Sequence, residues 1–188
     1  MDKKVTIIGG GLAGCEAAYQ IAKQGIQVKL YEMKPIKFSE AHTSKNLAEV
    51  VCSNSFKSNL HTNACGLLKE ELRMLDSLLI QCADKTSVPA GQALAVDREE
   101  FSKLVTKSIQ ENPNIEIFHE EFTGEELTRE ASSNNITIIA TGPLTSNRLA
   151  ENISKLTGKE RLYFYDAAAP IVKKDSINME IAFYRKPL

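Results

Sequence analysis

Residues Val5–Glu32 read VTIIGGGLAGCEAAYQIAKQGIQVKLYE, and this stretch decides the fold. Val5, Thr6, Ile7 and Ile8 form a short apolar, β-branched run that suits a buried strand. Gly9, Gly11 and Gly14 then give G-x-G-x-x-G, and the residues behind them place Ala18, Ile21 and Ala22 on one helical face. Gln27 to Tyr31 read as a second strand, which ends at Glu32. Each part has a physical task in holding a dinucleotide. Gly9 permits the tight turn after the strand, Gly11 lets the backbone approach a pyrophosphate, and Gly14 lets the helix lie close to the strand. Contact is expected along Gly9, Gly10, Gly11, Leu12, Ala13 and Gly14, where free N–H groups and the positive end of the helix dipole face the phosphates. Glu32 stands about 20 residues further on, where a carboxylate accepts hydrogen bonds from a ribose diol. It would repel a 2′-phosphate. The plain alternative is a glycine-rich loop in an unrelated βαβ unit. The loop's position between strand, helix and acid-ending strand favours the dinucleotide, without separating FAD from NAD.

The chain has 188 residues, 43% of them hydrophobic and 25% charged, which suits one soluble domain with a real core. Lys and Arg number 23 against 24 Asp and Glu, so net charge gives no electrostatic case for nucleic acid. No apolar run reaches the ~20 residues of a membrane span. The N-terminus enters the first strand directly, which leaves no room for a signal peptide and makes the cytoplasm the expected location. Cys15, Cys52, Cys65 and Cys82 fit neither a C-x-x-C pair nor a zinc pattern, and His42, His61 and His119 add no metal spacing. The histidines read as surface or loop residues.

Beyond Glu32, residues 33–63 lose periodicity and collect Ser, Asn, Thr and His. They read as a long irregular insertion with a short helix near Leu47–Val51. Gly66–Gln81 carries leucines at helical spacing and reads as one amphipathic helix. Pro89–Gly91 marks a turn and Ala93–Val96 a strand, and Asp97 is placed to cap a helix from Arg98 to about Gln110. Asn112-Pro113 stops that helix, Ile115–His119 is a strand, and the acidic run Glu120–Arg129 reads as surface. Ile136–Ala140 is expected to be a buried parallel strand ending in Thr141-Gly142-Pro143, followed by a helix from about Ser146 to Leu156. A β-branched strand running into A-T-G lets its end lie close to a bound cofactor; Thr141 and Gly142 are therefore candidate cofactor contacts, and the pairing with the N-terminal loop favours FAD. Cys52 lies in Ala48–Ser58, AEVVCSNSFKS, among small hydroxyl and amide residues near Lys57. That setting exposes a thiol and favours its thiolate. A buried structural cysteine is the alternative for Cys52 and the expected role of Cys15, Cys65 and Cys82.

Several segments together carry a resemblance. IIGGGLAGCEAA, AEVVCSNSFKS, GLLKEELRMLDSLL, VPAGQALAVDREEFS, ATGPLTS and LTGKERLYFYDAAAPIV followed by DSINM resemble the N-terminal part of the folate- and FAD-dependent tRNA (uracil-5-)-methyltransferases, the TrmFO family. The related wobble-uridine modification flavoproteins, MnmG or GidA, share the glycine loop, but CSNS and DAAAPIV favour the methyltransferase. The resemblance implies an α/β fold: a Rossmann-like FAD-binding domain with a parallel sheet, here an incomplete two-dinucleotide-binding flavoprotein architecture spanning 1–188. It also implies a reaction. A one-carbon unit from 5,10-methylenetetrahydrofolate is reduced through FAD with electrons from NAD(P)H and placed on C5 of a uridine in the tRNA T loop. A cysteine thiolate adds to uracil C6; the family uses two cysteines, and Cys52 matches the one in the N-terminal half. The other cysteine would lie in a C-terminal half, which is expected to be absent from this chain and so a possible separate partner beside tRNA. Gln92, where the family commonly has glycine, and Glu180–Leu188 depart from the pattern. An inactive FAD-binding remnant or interaction module and an MnmG-like modifier are the rival readings.

Overall fold

The computed structural model describes residues 4–125, 127, 136–158, 177, 178 and 181. The DAAAPIV segment and the aromatic run before it lie outside the described residues. In chain order the elements are β1 (Lys4–Ile8), α1 (Leu12–Lys23), β2 (Gln27–Tyr31), β3 (Ser55–Ser58), α2 (Ala64–Met74), α3 (Leu78–Lys85), β4 (Ser87–Val88), β5 (Ala93–Val96), α4 (Arg98–Gln110), β6 (Ile115–Phe118), β7 (Ile136–Ile139), a 3-10 turn (Gly142–Leu144) and α5 (Asn147–Thr157).

β1 sits inside a parallel four-stranded sheet of order β6-β2-β1-β7. Ile7 pairs with Leu30 on one side and Ile138 on the other. The chain leaves β1 through α1 to β2 and returns much later to the opposite side as β7, so strand order reverses at β1. In a parallel sheet that reversal opens a crevice at the carboxyl ends of the strands. α1 covers one face with Cys15, Ala18 and Ala22, all buried and small, which keeps the helix close to the sheet. α4 buries Phe101, Val105 and Ile109, one residue per turn, under the Asp97 cap, whose Oδ1 accepts from Glu99 N and Glu100 N at 3.0 Å each. A second, antiparallel sheet of order β3-β5-β4 lies in the stretch between β2 and α4.

Four expectations are corrected. The leucine-rich segment is two helices, not one: α2 and α3 are separated at Leu75–Ser77, with Asp76 at φ 60°. Ser77 and Glu16 take the N–H groups of Ile80, Leu78 and Leu79, so the break is held by a side-chain cap and by a carboxylate from α1. It lets Leu78, Ile80, Cys82 and Ala83 turn into the core while Leu67, Leu68 and Leu75 stay outside. No helix forms at Leu47–Val51; Leu47 and Ala48 are instead buried in an irregular segment, with Ala48 N donating to Gly10 O at 2.9 Å. β7 is parallel but not buried: it is the sheet's edge among the described strands, with Ile136 60% and Ile139 41% exposed. The acidic run after β6 is not plain surface, because Phe122 and Leu127 join Ile8 and Leu149 in a small second core.

Candidate dinucleotide-binding cleft

The carboxyl ends of β1, β2 and β7 and the start of α1 enclose a cleft of about 310 Å³. Its lining includes Ile8 from the end of β1, Gly9, Gly10 and Gly11 from the glycine loop, Leu12 and Ala13 from the start of α1, Glu32 from the end of β2, and Ala140, Thr141 and Gly142 from the end of β7. Sequence reasoning named most of these, and the topology brings them to one place. Gly14 is a candidate that does not line it.

The glycines separate by task. A Cβ on Gly14 would sit 1.8 Å from Gly9 O, and one on Gly9, at φ 103°, would sit 2.7 Å from Ala140 O. A Cβ on Gly10 would meet Leu47 Cδ2 at 2.7 Å and Glu32 Oε2 at 2.8 Å. These three are glycine because protein atoms crowd them. Gly11 is different: a Cβ there meets nothing within 4 Å. The space in front of Gly11 lies in the cleft, where a ligand's phosphates would pass.

The start of α1 has the matching electrostatics. α2, α3 and α4 each begin under a side-chain cap from Asn63, Ser77 or Asp97, whereas α1, like α5, starts without one, and its first turn holds no acid. An anion is the group that satisfies such a helix end. Lys34 is the only Lys or Arg among the described lining residues, so phosphates in this cleft would rest on backbone N–H groups rather than on side-chain cations.

Glu32 is buried, yet its carboxylate is fully anchored: Oε2 accepts from Gly10 N and Oε1 from Lys34 N, both at 2.9 Å. The bonds fix its position at the cleft, and each oxygen retains a lone pair for a diol. On the far wall Ala140 presses on Gly9. The Thr141 hydroxyl lies 2.6 Å from that of Thr145, which in turn donates to Gly142 O at 2.9 Å. Small residues at A-T-G are what allow this approach.

The composition of the sequence did not mark the rest of the lining. Tyr31, Met33, Lys34, His42, Glu49, Val51, Glu120, Glu121 and Phe122 also line the cleft. The signal that could have found Glu120–Phe122 is topological, since they follow β6, the strand beside β2. Lys34 Nζ donates to Asn46 O at 2.6 Å and meets Glu49 Oε2 at 3.5 Å. Glu49 Oε1 accepts from Thr43 N and Ser44 N, each at 3.0 Å. Burial pushes the Glu49 carboxyl up, but these bonds and Lys34 outweigh it and hold it below the usual range. His42, half-buried and 2.6 Å from Ser39 Oγ, is pushed down by burial and by Lys34. His61 and His119 are exposed.

Cys52 is exposed and does not line the cleft, although its neighbour Val51 does. Cys15 is buried inside α1, its thiol donating to Gly10 O at 3.3 Å, and burial followed by the nearby Glu32 charge pushes it up to about 12. Cys82 is buried and also raised, whereas Cys65 is half-exposed rather than packed away. Among the described residues no group of three or more His, Cys, Asp or Glu is placed to hold a metal ion, and no helix is long and apolar enough to cross a membrane.

A parallel sheet with a glycine loop at its reversal point, an uncapped helix start and an anchored acid define a Rossmann-type dinucleotide-binding domain. More specifically, the chain belongs to the family described as glucose inhibited division protein A, whose model matches residues 4–187. It is 56% identical over 183 residues to the methylenetetrahydrofolate–tRNA-(uracil-5-)-methyltransferase TrmFO of Lactobacillus johnsonii, covering 97% of this chain and 40% of that protein. It is 57% identical over 185 residues to the protein of the same name from Fusobacterium nucleatum, covering 98% and 41%. The chain thus spans about two-fifths of the length of the curated relatives it matches. A GidA-related protein from Thermus thermophilus is similar over 63% of this chain and 38% of its own at 15% identity, with a TM-score of 0.33. The parallel sheet rests on its own strand pairing, not on that likeness.

Proposed function

We propose that these 188 residues are one FAD-binding unit of a methylenetetrahydrofolate-dependent tRNA (uracil-5-)-methyltransferase. The identity of 56% over 97% of the chain carries this reading, and the cleft supports it chemically. Gly11 leaves the room a pyrophosphate needs, the start of α1 supplies its N–H groups, and Glu32 is anchored where a ribose would lie. The residues present therefore fit FAD, with Gly9–Ala13 and Gly14 forming the loop, Glu32 on the ribose, and Thr141 and Gly142 on the opposite wall. When bound, FAD supplies the electrons that reduce the one-carbon unit. In this proposal 5,10-methylenetetrahydrofolate is the carbon donor, NAD(P)H the reductant, tRNA the substrate and the cytoplasm the location.

The role proposed for Cys52 is nucleophilic. Its thiolate adds to uracil C6, the C5–C6 electrons move to C5, and C5 attacks the one-carbon unit, whose bond to the carrier nitrogen breaks with the electron pair staying on nitrogen. Loss of the C5 proton and addition of a hydride equivalent originating from NAD(P)H then leave a methyl group and expel the thiolate. Exposure is what this role needs, since the substrate is a macromolecule that must reach the sulfur. Because the matched relatives are longer, the rest of the donor and tRNA surface is proposed to come from outside these residues, in a further segment or a partner.

The test has two arms. FAD titrated into the purified chain should bind and shift the flavin spectrum, and Gly11→Val should abolish the shift. Equal affinity in both would sink the cofactor assignment. In the second arm a T-loop RNA carrying 5-fluorouridine is added, since fluorine at C5 blocks resolution of the adduct. Peptide mapping should place the RNA on Cys52. An adduct on another cysteine, or adduct formation undiminished in Cys52→Ala, would overturn the nucleophile. A wobble-position uridine as the preferred site would favour the MnmG-like reading.

A further inference from the structure

We infer that Lys34 is a positioning residue that couples the dinucleotide cleft to Cys52. The inference rests on the FAD and Cys52 readings above. Lys34 follows β2 by three residues, is 4% exposed, and lines the cleft. A lysine so deeply buried needs partners, because its Nζ loses water on folding. Both partners belong to one short segment: Asn46 O at 2.6 Å and Glu49 Oε2 at 3.5 Å. Between them Leu47 N donates to Thr106 Oγ1 and Ala48 N to Gly10 O, each at 2.9 Å. Residues 46–49 are therefore pinned at once to Lys34, to α4 and to the glycine loop itself. Ala48 accepts φ 50° to make this contact, a backbone conformation that a residue with a Cβ adopts only when its surroundings impose it.

Cys52 is three residues beyond this anchor. The next anchor on the far side is Asn54, whose Nδ2 donates to Val96 O at 3.1 Å and whose carbonyl accepts from Val96 N at 2.9 Å. The thiol thus rides on a span fixed at one end to the small antiparallel sheet and at the other to the cleft. Gly10, which receives Ala48, is in the loop that meets the phosphates. A ligand that settles the glycine loop reaches the cleft-side end of the span by two routes: the Ala48–Gly10 bond, and the Glu32 carboxylate, which takes both Gly10 N and Lys34 N and so ties Lys34, with Asn46 and Glu49 on its Nζ, to the same loop. Glu49 is held from behind by Thr43 and Ser44, so its carboxylate joins residues 43 and 44 to Lys34.

The experiment measures FAD affinity, thermal unfolding, and the alkylation rate of Cys52 with and without FAD, mapped by mass spectrometry. In the unaltered chain FAD should change the Cys52 rate several-fold while leaving Cys65 alone. Lys34→Met should weaken FAD binding and cut the FAD dependence of the Cys52 rate several-fold; Lys34→Arg should restore part of both. Glu49→Gln keeps acceptors for Thr43 and Ser44 but loses the ion pair. It should reduce the FAD effect on Cys52 beyond what any fall in unfolding temperature accounts for, and it decides the matter if Lys34→Met does not fold. A purely structural lysine would lower the unfolding temperature and leave the FAD response of Cys52 intact in every folded variant; that result overturns the inference alone. An unaltered chain that binds no FAD overturns the cofactor reading and this inference together.

Discussion

At the scale of single residues, the glycine loop separates folding from binding. Gly14 has no room for a Cβ because backbone, not a movable side chain, stands in the way. Gly14→Ala should destabilise the chain by at least the roughly 1–3 kcal/mol of an overpacked core site, read as a lower midpoint in urea. Gly11→Ala should leave that midpoint unchanged, since its φ of −76° suits alanine and the added methyl meets nothing, yet it should weaken dinucleotide binding. Equal losses of stability in the two variants would refute the division. The cysteines divide similarly. At pH 8 Cys52 should alkylate first and Cys65 next. Cys82 and Cys15 should react only on unfolding, because their thiols are buried and their ionisation is pushed up. G-x-G-x-x-G was readable because its spacing encodes backbone geometry. That Gly10 is crowded by Leu47 was not, since that contact joins positions far apart in the chain.

At the scale of elements, local signals served where capping decides and failed where packing does. Asp97 could be named as a cap from its place before Arg98-Glu99-Glu100, and Asp97→Ala should cost about 1 kcal/mol. The break between α2 and α3 was hidden because its cap includes Glu16, a residue of α1. Glu16→Ala should leave the first N–H groups of α3 unpaired and cost roughly 1–3 kcal/mol, measurable by urea unfolding, with no effect on α4. The irregular wall at 42–49 carries a pH dependence. His42 and Glu49 both titrate lower in the folded chain than they would unfolded. The unfolded chain therefore takes up protons first as pH falls. Stability is fully present above the unfolded values and drains away as pH drops, from about 6.5 for histidine and then through the carboxylate range. His42→Gln should flatten the upper part of this fall in unfolding temperature between about pH 7 and pH 5.5. An unchanged profile would remove His42 from the account.

At the scale of the whole molecule, the balance of apolar surface follows from which faces the sheets and helices cover. The core joins α1, α3 and α4 to β1, β2 and β5. α2 lies outside it and presents Leu67, Leu68, Met74 and Leu75 at 52%, 55%, 82% and 69% exposure. The leucine spacing was legible as amphipathic, but the direction of the apolar face was not. Periodicity gives a stripe without saying whether the stripe faces in, and the break at Asp76 rotates α3 inward while α2 keeps its leucines outside. Four large apolar residues lie on one side of the helix and its cap, on either side of exposed Glu71, and exposed apolar surface of this kind associates in water. With nearly equal numbers of acidic and basic residues, little net charge opposes that association. The isolated chain should therefore self-associate as its concentration rises. Replacing Leu68, Met74 and Leu75 together by lysine should keep it monomeric by sedimentation without weakening FAD binding, because none of the three lines the cleft. If the triple variant associates as before, the interface lies elsewhere, and the exposed Ile136 and Ile139 of β7 become the face to alter next. If it loses FAD instead, α2 supports the cleft in a way its contacts do not indicate.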